Sequence, residues 1–338
     1  MMLTPAFVAQ VAQQESMLPL RNDRCRSRFW LHDAPTSQVF VLFHGITAAP
    51  YQFDTLGERL YAAGYNVLAP LMPGHGQAGD WDASNPPPLP EDMRIYQDFV
   101  DTWLVRAQPL GEALIVGGLS AGGALATWAA VKRADRVSRA LLFAPYLSNA
   151  SLFVDLIASR AQGYFAWPNG RDRIGYPGFR FPALDVFPPM GRELLRLAAI
   201  QKTAPMCIIS TDTDVAVDND DHVALFESIR GRQPISWYHR FPVAMDIPHA
   251  MMAPEEGNQW TAILNTMVLA YVESQLSWAE VEEIAYRMTD GKTFPQVVSA
   301  LGVQDKCSPY MPAMMTMVDK RKIVLDRQKR HQRGSGFS

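Results

Sequence analysis

The stretch Val116-Gly117-Gly118-Leu119-Ser120-Ala121-Gly122-Gly123 decides the reading of this chain. Ahead of it runs the apolar segment Ala113-Leu114-Ile115-Val116, and behind it the helix-forming segment Ala124-Leu125-Ala126-Thr127-Trp128-Ala129-Ala130. A serine is thus set where a strand turns sharply into a helix. Gly118-Leu119-Ser120-Ala121-Gly122 fits G-x-S-x-G, the pattern of a nucleophile elbow, in which the serine takes a strained backbone conformation and projects its Oγ. Strand and helix backbones nearly touch at such a turn, so its neighbours must be small, and Gly118, Ala121 and Gly122 are. The bare pattern is weak, because a glycine-rich turn can simply end a strand; the strand-before, helix-after context gives it weight. A phosphate-cradling loop is the rival, but neither G-x-x-x-x-G-K-[ST] nor G-x-G-x-x-G stands here.

Working outward, the pattern alternates between strands and helices. Residues 5–17 read as a short amphipathic helix and 24–32 as an early strand. Ser37 to Phe43 is a β-branched and aromatic run, the mark of a buried strand, and it ends at His44-Gly45. Residues 53–63 have helical spacing, with Leu56, Leu60 and Ala63 on one face and Gly64 as the stop. Residues 65–69 form the next strand. Residues 92–107 are helical again, with Ile95, Phe99, Trp103 and Leu104 near helical spacing. Beyond the elbow come strands at 139–143, 206–210 and 235–241 and an apolar helix at 260–276. Strands alternating with helices imply an α/β class fold, with a mostly parallel central sheet and helices on both faces.

Two segments break the alternation. About sixty residues separate the strands at 139–143 and 206–210, and within them 164–190 interleave Tyr164, Phe165, Trp167, Tyr176, Phe179, Phe181 and Phe187 with prolines and glycines. That is too long for a simple crossover and too aromatic for a disordered linker. It reads as an inserted cap or lid, with a surface excursion packed on the core as the alternative. Residues past 278 carry a helical piece near 279–288 and a basic end from Lys320 to Arg333, expected as a solvated helix end or frayed tail, with 335–338 disordered. The expected domains are a core of 20–146 and 200–277, a cap of 147–199 and an extension of 278–338.

Bulk properties narrow the classes. The 338 residues, 48% hydrophobic and 19% charged, suffice for one large domain with an insertion or two smaller ones. A formal net charge of −3 gives no sign of a nucleic-acid surface. Cys25, Cys207 and Cys307 are far apart, odd in number and without metal-ligand spacing, so no metal is expected and a reduced, cytosolic location fits. The N-terminal region lacks an early basic residue and interrupts its apolar residues with Gln10, Gln13, Gln14 and Glu15, which makes a poor signal peptide. No run approaches the ~20 apolar residues of a spanning helix.

A serine hydroxyl is a weak nucleophile at neutral pH and needs a base and a group that orients the base. In a doubly wound sheet, functional groups stand on loops after the carboxyl ends of strands. Of the seven histidines, His249 in Asp246-Ile247-Pro248-His249-Ala250 follows the strand at 235–241 and precedes the final core helix. His239 lies inside that strand, His222 at a helix start and His331 in the tail. The acid should follow the strand at 206–210. Asp214 is favoured because Val215 and Val217 can pack back under the loop; Asp212 is the rival, and Asp218 suits a helix cap. Two backbone N–H groups are needed for the oxyanion. Ala121 follows the nucleophile, and Ile46 lies in the loop His44-Gly45-Ile46-Thr47 after the strand at 37–43, with His44 read as structural.

With these residues assembled, the chain resembles an α/β-hydrolase, and within that superfamily the carboxylesterase, monoacylglycerol lipase and serine aminopeptidase-like group. The resemblance rests on His44-Gly45-Ile46, Pro73-Gly74-His75-Gly76, Gly118-Leu119-Ser120-Ala121-Gly122, Thr213-Asp214-Val215 and His249, in the order Ser, Asp, His, and covers roughly residues 25–277. It implies ester hydrolysis through an acyl-serine intermediate with no cofactor, on a small-molecule substrate. Ser120, Asp214 and His249 are then the catalytic residues, with the Ile46 and Ala121 N–H groups as oxyanion hole. The aromatic cap suggests an apolar acyl chain of short to medium length, with Phe165, Trp167, Phe179, Phe181 and Phe187 as candidate pocket residues. The same residues could cut an amide, a thioester or a carbon–carbon bond; acidic cap residues for a free amine, Asp172 and Asp185, are the candidates for a peptidase. A non-catalytic binding relative would usually have lost the serine, the histidine or an oxyanion element, and none is missing here. Oligomeric state is not legible.

Overall fold

The computed structural model describes residues 6–148, 163–168, 170, 173–317 and 319–334. Its framework is a seven-stranded sheet of β1 (Arg28–Trp30), β2 (Thr36–Phe43), β3 (Asn66–Ala69), β4 (Gly111–Leu119), β5 (Arg139–Phe143), β8 (Met206–Thr211) and β9 (Trp237–Phe241). A separate antiparallel hairpin consists of β6 (Tyr164–Ala166) and β7 (Gly178–Arg180). Strand order is β1-β3-β2-β4-β5-β8-β9, and every neighbouring pair is parallel except β1 with β3.

The residue pattern explains this arrangement. Val39 to Phe43, Asn66 to Ala69 and Arg139 to Phe143 are buried without interruption. Successive side chains of a strand point to opposite faces, so both faces of the central sheet are covered and alternation disappears from the sequence. At the β9 edge the alternation returns, with Trp237, His239 and Phe241 buried and Tyr238 and Arg240 half-buried.

The register sets the site. Phe43 pairs with Gly118, Leu119 with Phe143, Phe143 with Ile209 and Thr211 with Phe241. The carboxyl ends of β2, β4, β5, β8 and β9 are therefore level, and the loops after them meet along one rim. The chain leaves β2 for β3 on one side and returns to build β4 on the other, which puts the topological switch between β2 and β4. Open α/β sheets keep their functional crevice at such a switch.

Several expected elements shift. The early strand shortens to Arg28–Trp30, because Asn22 caps a 3-10 turn at Asp23–Cys25 by accepting from Arg24 N–H. The helix Met93–Ala107 buries Tyr96, Val100, Trp103, Leu104 and Ala107, whereas Ile95 is exposed, one position off the inward face. The helix expected to reach 276 stops at Val272. Buried Arg139 donates to the carbonyls of Tyr271 at 3.0 Å and Ser274 at 2.8 Å, taking the groups a further turn would have used.

The long segment after β5 contributes the β6–β7 hairpin and the helices Phe181–Asp185 and Phe187–Ala198. Residues 149–162 of it, and Asp172, lie outside the described residues. Past the core helix come Trp278–Met288, begun by a Ser277–Glu280 capping box, then Phe294–Leu301, Met311–Met317 and Lys320–Gly334. The basic run is not wholly solvated, contrary to expectation. Lys322 bonds Asp212 at 2.8 Å, and Arg327 pairs with Glu283. The tail residues 335–338 lie outside the described residues. Among the described residues no helix is long and apolar enough to cross a membrane.

Candidate active site

The elbow is built by contacts that no side chain could share. Ser120 holds φ 56° and ψ −118°, a conformation that L-residues rarely adopt. A Cβ on Gly118 would lie 2.1 Å from the Gly122 carbonyl oxygen, and one on Gly122 would lie 2.0 Å from the Phe43 carbonyl oxygen. β4, the helix Ala121–Lys132 and β2 thus meet backbone to backbone. Ser120 N–H donates to the Phe143 carbonyl at 3.0 Å, and its carbonyl accepts from Tyr146 N–H at 2.9 Å, which locks the turn onto the end of β5. The Ser120 side chain is nearly buried, and its Oγ has no hydrogen-bond partner among the described residues.

The loop after β8 carries the candidate acid, Asp214. Asp214 Oδ2 lies 2.6 Å from His249 Nδ1, and Oδ1 accepts from Ala216 N–H at 2.8 Å. The Asp214 carboxylate is fully buried, and the His249 ring is about a quarter exposed (0% and 23%). Burial opposes the charge of Asp214, but the His249 ring beside it, their hydrogen bond and the Ala216 N–H outweigh it and hold the carboxyl below its usual range. For His249, burial disfavours the imidazolium, yet the Asp214 charge and hydrogen bond win and raise its pKa above the ordinary histidine value. A carboxylate only accepts, so the proton of the pair sits on Nδ1 and Nε2 is left to take another. Thr213 Oγ1 donates to the Ile247 carbonyl, which ties the acid loop to the base loop.

Asp212 goes elsewhere. Its carboxylate pairs with Arg240 Nε at 2.5 Å and Lys322 Nζ at 2.8 Å, on the side of the C-terminal helix. Of the two valines expected to fix the Asp214 loop, only Val217 is buried; Val215 is 57% exposed, so the fixing falls to Val217 and the hydrogen bonds. Asp218 caps the helix Asn219–Ile229 by accepting from Asp220 N–H at 2.9 Å.

His44, His75, His222 and His239 are enclosed. His44 Nε2 accepts from Met72 N–H at 3.0 Å, and its Nδ1 lies 2.9 Å from the Gly45 carbonyl, the structural part expected of it. His222 Nε2 bonds the Pro145 carbonyl at 2.8 Å, and burial pushes its pKa down to about 4.

Ile46 and Ala121 flank the serine. A Cβ on Gly45 would stand 3.7 Å from Ser120 Cβ, so the 44–47 loop runs directly beside the elbow. The N–H groups of Ile46 and Ala121 have no hydrogen-bond acceptor among the described residues. Ala121 opens its helix, where unsatisfied N–H groups and the helix dipole favour negative charge.

The five aromatic residues assigned to a pocket pack largely on one another. Phe165 lies 4.8 Å from Trp167 and 5.3 Å from Phe179 by ring centroids, Phe179 lies 6.3 Å from Phe181, and Phe187 packs 5.3 Å from Tyr96. They form the body of the inserted hairpin and its following helices. Trp167 also reaches the site, donating from Nε1 to Thr47 Oγ1 at 2.9 Å. Two cavities, of about 490 and 260 Å³, open elsewhere and are lined by none of these five residues.

Other residues near the site carry no sequence motif. Gln52 Oε1 accepts from Gly45 N–H at 2.8 Å, and Gln52 Nε2 donates to Glu256 Oε2 at 2.7 Å. The available signal was Gln52 itself, a polar residue inside the apolar turn Pro50-Tyr51-Gln52-Phe53, where burial demands partners. Among the described residues no group of three or more His, Cys, Asp or Glu could hold a metal ion.

Comparison with known proteins agrees with this architecture. Residues 38–186 match the family model described as the alpha/beta hydrolase fold. A structure from a study of LipS and LipT, two metagenome-derived lipolytic enzymes, superimposes with a TM-score of 0.58 at 18% identity, over 73% of this chain and 96% of that one. A monoacylglycerol lipase of Paleococcus ferrophilus does so with a TM-score of 0.54 at 16% identity, over 72% of this chain and 95% of that one. The chain has the α/β-hydrolase fold.

Proposed function

We propose that the protein is a serine hydrolase that cleaves carboxylic esters with short- to medium-chain acyl groups. The observation that carries this reading is the 2.6 Å Asp214–His249 pair on the rim that also bears Ser120 at φ 56°. The lipolytic structures similar to this chain favour an ester over other acyl bonds. In the proposed reaction His249 Nε2 takes the Ser120 proton as Oγ attacks the ester carbonyl carbon. Asp214 keeps the ring oriented and stabilises the imidazolium. Charge developing on the carbonyl oxygen is met by the Ile46 and Ala121 N–H groups. His249 then protonates the leaving alkoxide, and the acyl group stays on Ser120. Water, deprotonated by His249, attacks the acyl-serine; the acyl–Oγ bond breaks, His249 returns the proton to Ser120 Oγ, and the carboxylic acid leaves. No cofactor enters these steps, and the aromatic hairpin supplies an apolar wall for the acyl chain.

The test is hydrolysis of p-nitrophenyl esters of rising chain length beside Ser120→Ala. Turnover that depends on Ser120, with a maximum at short or medium chains, is the expected result. Wild-type rates in Ser120→Ala overturn the proposal.

A further inference from the structure

Glu256 sits on the 3-10 turn Pro254–Glu256, seven residues beyond His249. Its side chain is 9% exposed, deep for a carboxylate that carries no assigned task. Oε1 accepts from Tyr51 OH at 2.8 Å and from Arg173 Nη2 at 3.1 Å, while Oε2 accepts from Gln52 Nε2 at 2.7 Å. The amide of Gln52 passes the tie on, because its Oε1 accepts from Gly45 N–H. Arg173 lies between β6 and β7 with its guanidinium 4.8 Å over the Trp167 ring.

These contacts surround a strained loop. Thr47 has φ 64°, unfavourable for a β-branched residue. From the hairpin, Tyr176 N–H donates to the Thr47 carbonyl at 2.7 Å and Trp167 to its hydroxyl. From the opposite end, Gln52 fixes the Gly45 peptide. Ile46 lies between the two holds, and Glu256 is the group where they meet, reaching one through Gln52 and the other through Arg173.

We propose that Glu256 is a positioning residue for the oxyanion loop, setting the Ile46 N–H through Gln52 and coupling that loop to the seating of the inserted hairpin. The proposal rests on the serine-hydrolase reading above. A donor acting on charge that develops only in the transition state affects kcat more than KM, and a misplaced one costs rate without costing ground-state binding.

The experiment compares Glu256→Gln, Gln52→Leu and the double variant in the full chain. It reads kcat and KM on a p-nitrophenyl ester well below the melting temperature, and amide hydrogen exchange in peptides covering 44–52. Glu256→Gln keeps the shape but turns an acceptor into a donor facing Gln52 or Tyr51. A fall in kcat of about tenfold or more, with KM within about twofold, is expected for each single variant. The double variant should be no worse than the poorer single one, and exchange should quicken at 44–48. Wild-type kcat in Glu256→Gln, losses that multiply in the double variant, or unchanged exchange at 44–48 overturns the proposal. A lower melting temperature with kcat intact marks a merely structural ion pair and overturns it as well. If the wild type shows no Ser120-dependent turnover, the hydrolase reading fails instead, and the exchange measurement still decides whether Glu256 holds the loop.

Discussion

Gly122 and Phe43 touch backbone to backbone: a single added Cβ on Gly122 would stand 2.0 Å from the Phe43 carbonyl oxygen. Nothing flexible lies between them, so an added methyl must push β2 and the elbow helix apart. Gly122→Ala is expected to destabilise the protein by roughly 3 kcal/mol or more and to displace Ser120. Denaturant melts read the first effect, and labelling of the soluble fraction by a fluorophosphonate reads the second. A variant that melts and labels like the wild type contradicts the geometry.

The two aspartates after β8 separate cleanly. Asp214→Asn leaves the shape but removes the acceptor that keeps the proton on Nδ1, and should lower kcat by about 10⁴. Asp212→Asn should leave kcat within about threefold, because Asp212 bonds Arg240 and Lys322 rather than the base. Comparable losses in the two variants would count against the assignment of Asp214.

The rate should fall on the acid side through a histidine whose pKa lies above the ordinary value of about 6.5. In the proposed reaction His249 works as base only when neutral, and Asp214 favours its protonated form enough to outweigh burial. In the residual activity of Asp214→Asn this acid limb should move to lower pH. A kcat/KM profile from pH 5 to 9 checks both; a limb that stays in place separates His249 from the titration.

Stability has its own acid limit. Burial pushes His75, His222 and His239 to a pKa of about 4. As pH drops from about 6.5 towards 4, the unfolded chain takes protons that these three rings refuse in the fold. Each contributes a slope of about 1.4 kcal/mol per pH unit, so together ~4 kcal/mol per unit, against a total stability of ~5–15 kcal/mol. The carboxyls of buried Glu15 and half-buried Asp54 and Asp221, raised by desolvation, work in the opposite direction near the bottom of this window. The melting temperature should fall by at least ~5 °C between pH 7 and pH 5; calorimetry showing a flat profile over that interval refutes this.

What the sequence revealed followed from local chemistry. The elbow is legible because steric contact forces glycines to Gly118 and Gly122, and strand-end loops are legible because apolar runs stop abruptly at His44, Ser120 and Asp212. Ile95 misled because helical spacing tolerates an offset of one residue, and the partner of its face is not in the sequence. Arg139 ending a helix more than 130 positions away and Glu256 reaching Gln52 across 204 positions had no local trace. Such pairs are set by packing, and one sequence records only their two ends.

The bond between Lys322 and Asp212 gives the basic tail a mechanical part. Asp212 stands two residues before Asp214, so the last helix contacts the loop that carries the proposed acid. Cutting the chain at 277, where the motif-bearing region stops, would strip that contact along with Trp278, whose ring packs 5.8 Å from Trp237 on the edge strand. The smallest unit worth expressing is consequently set by contacts at the β9 edge of the sheet.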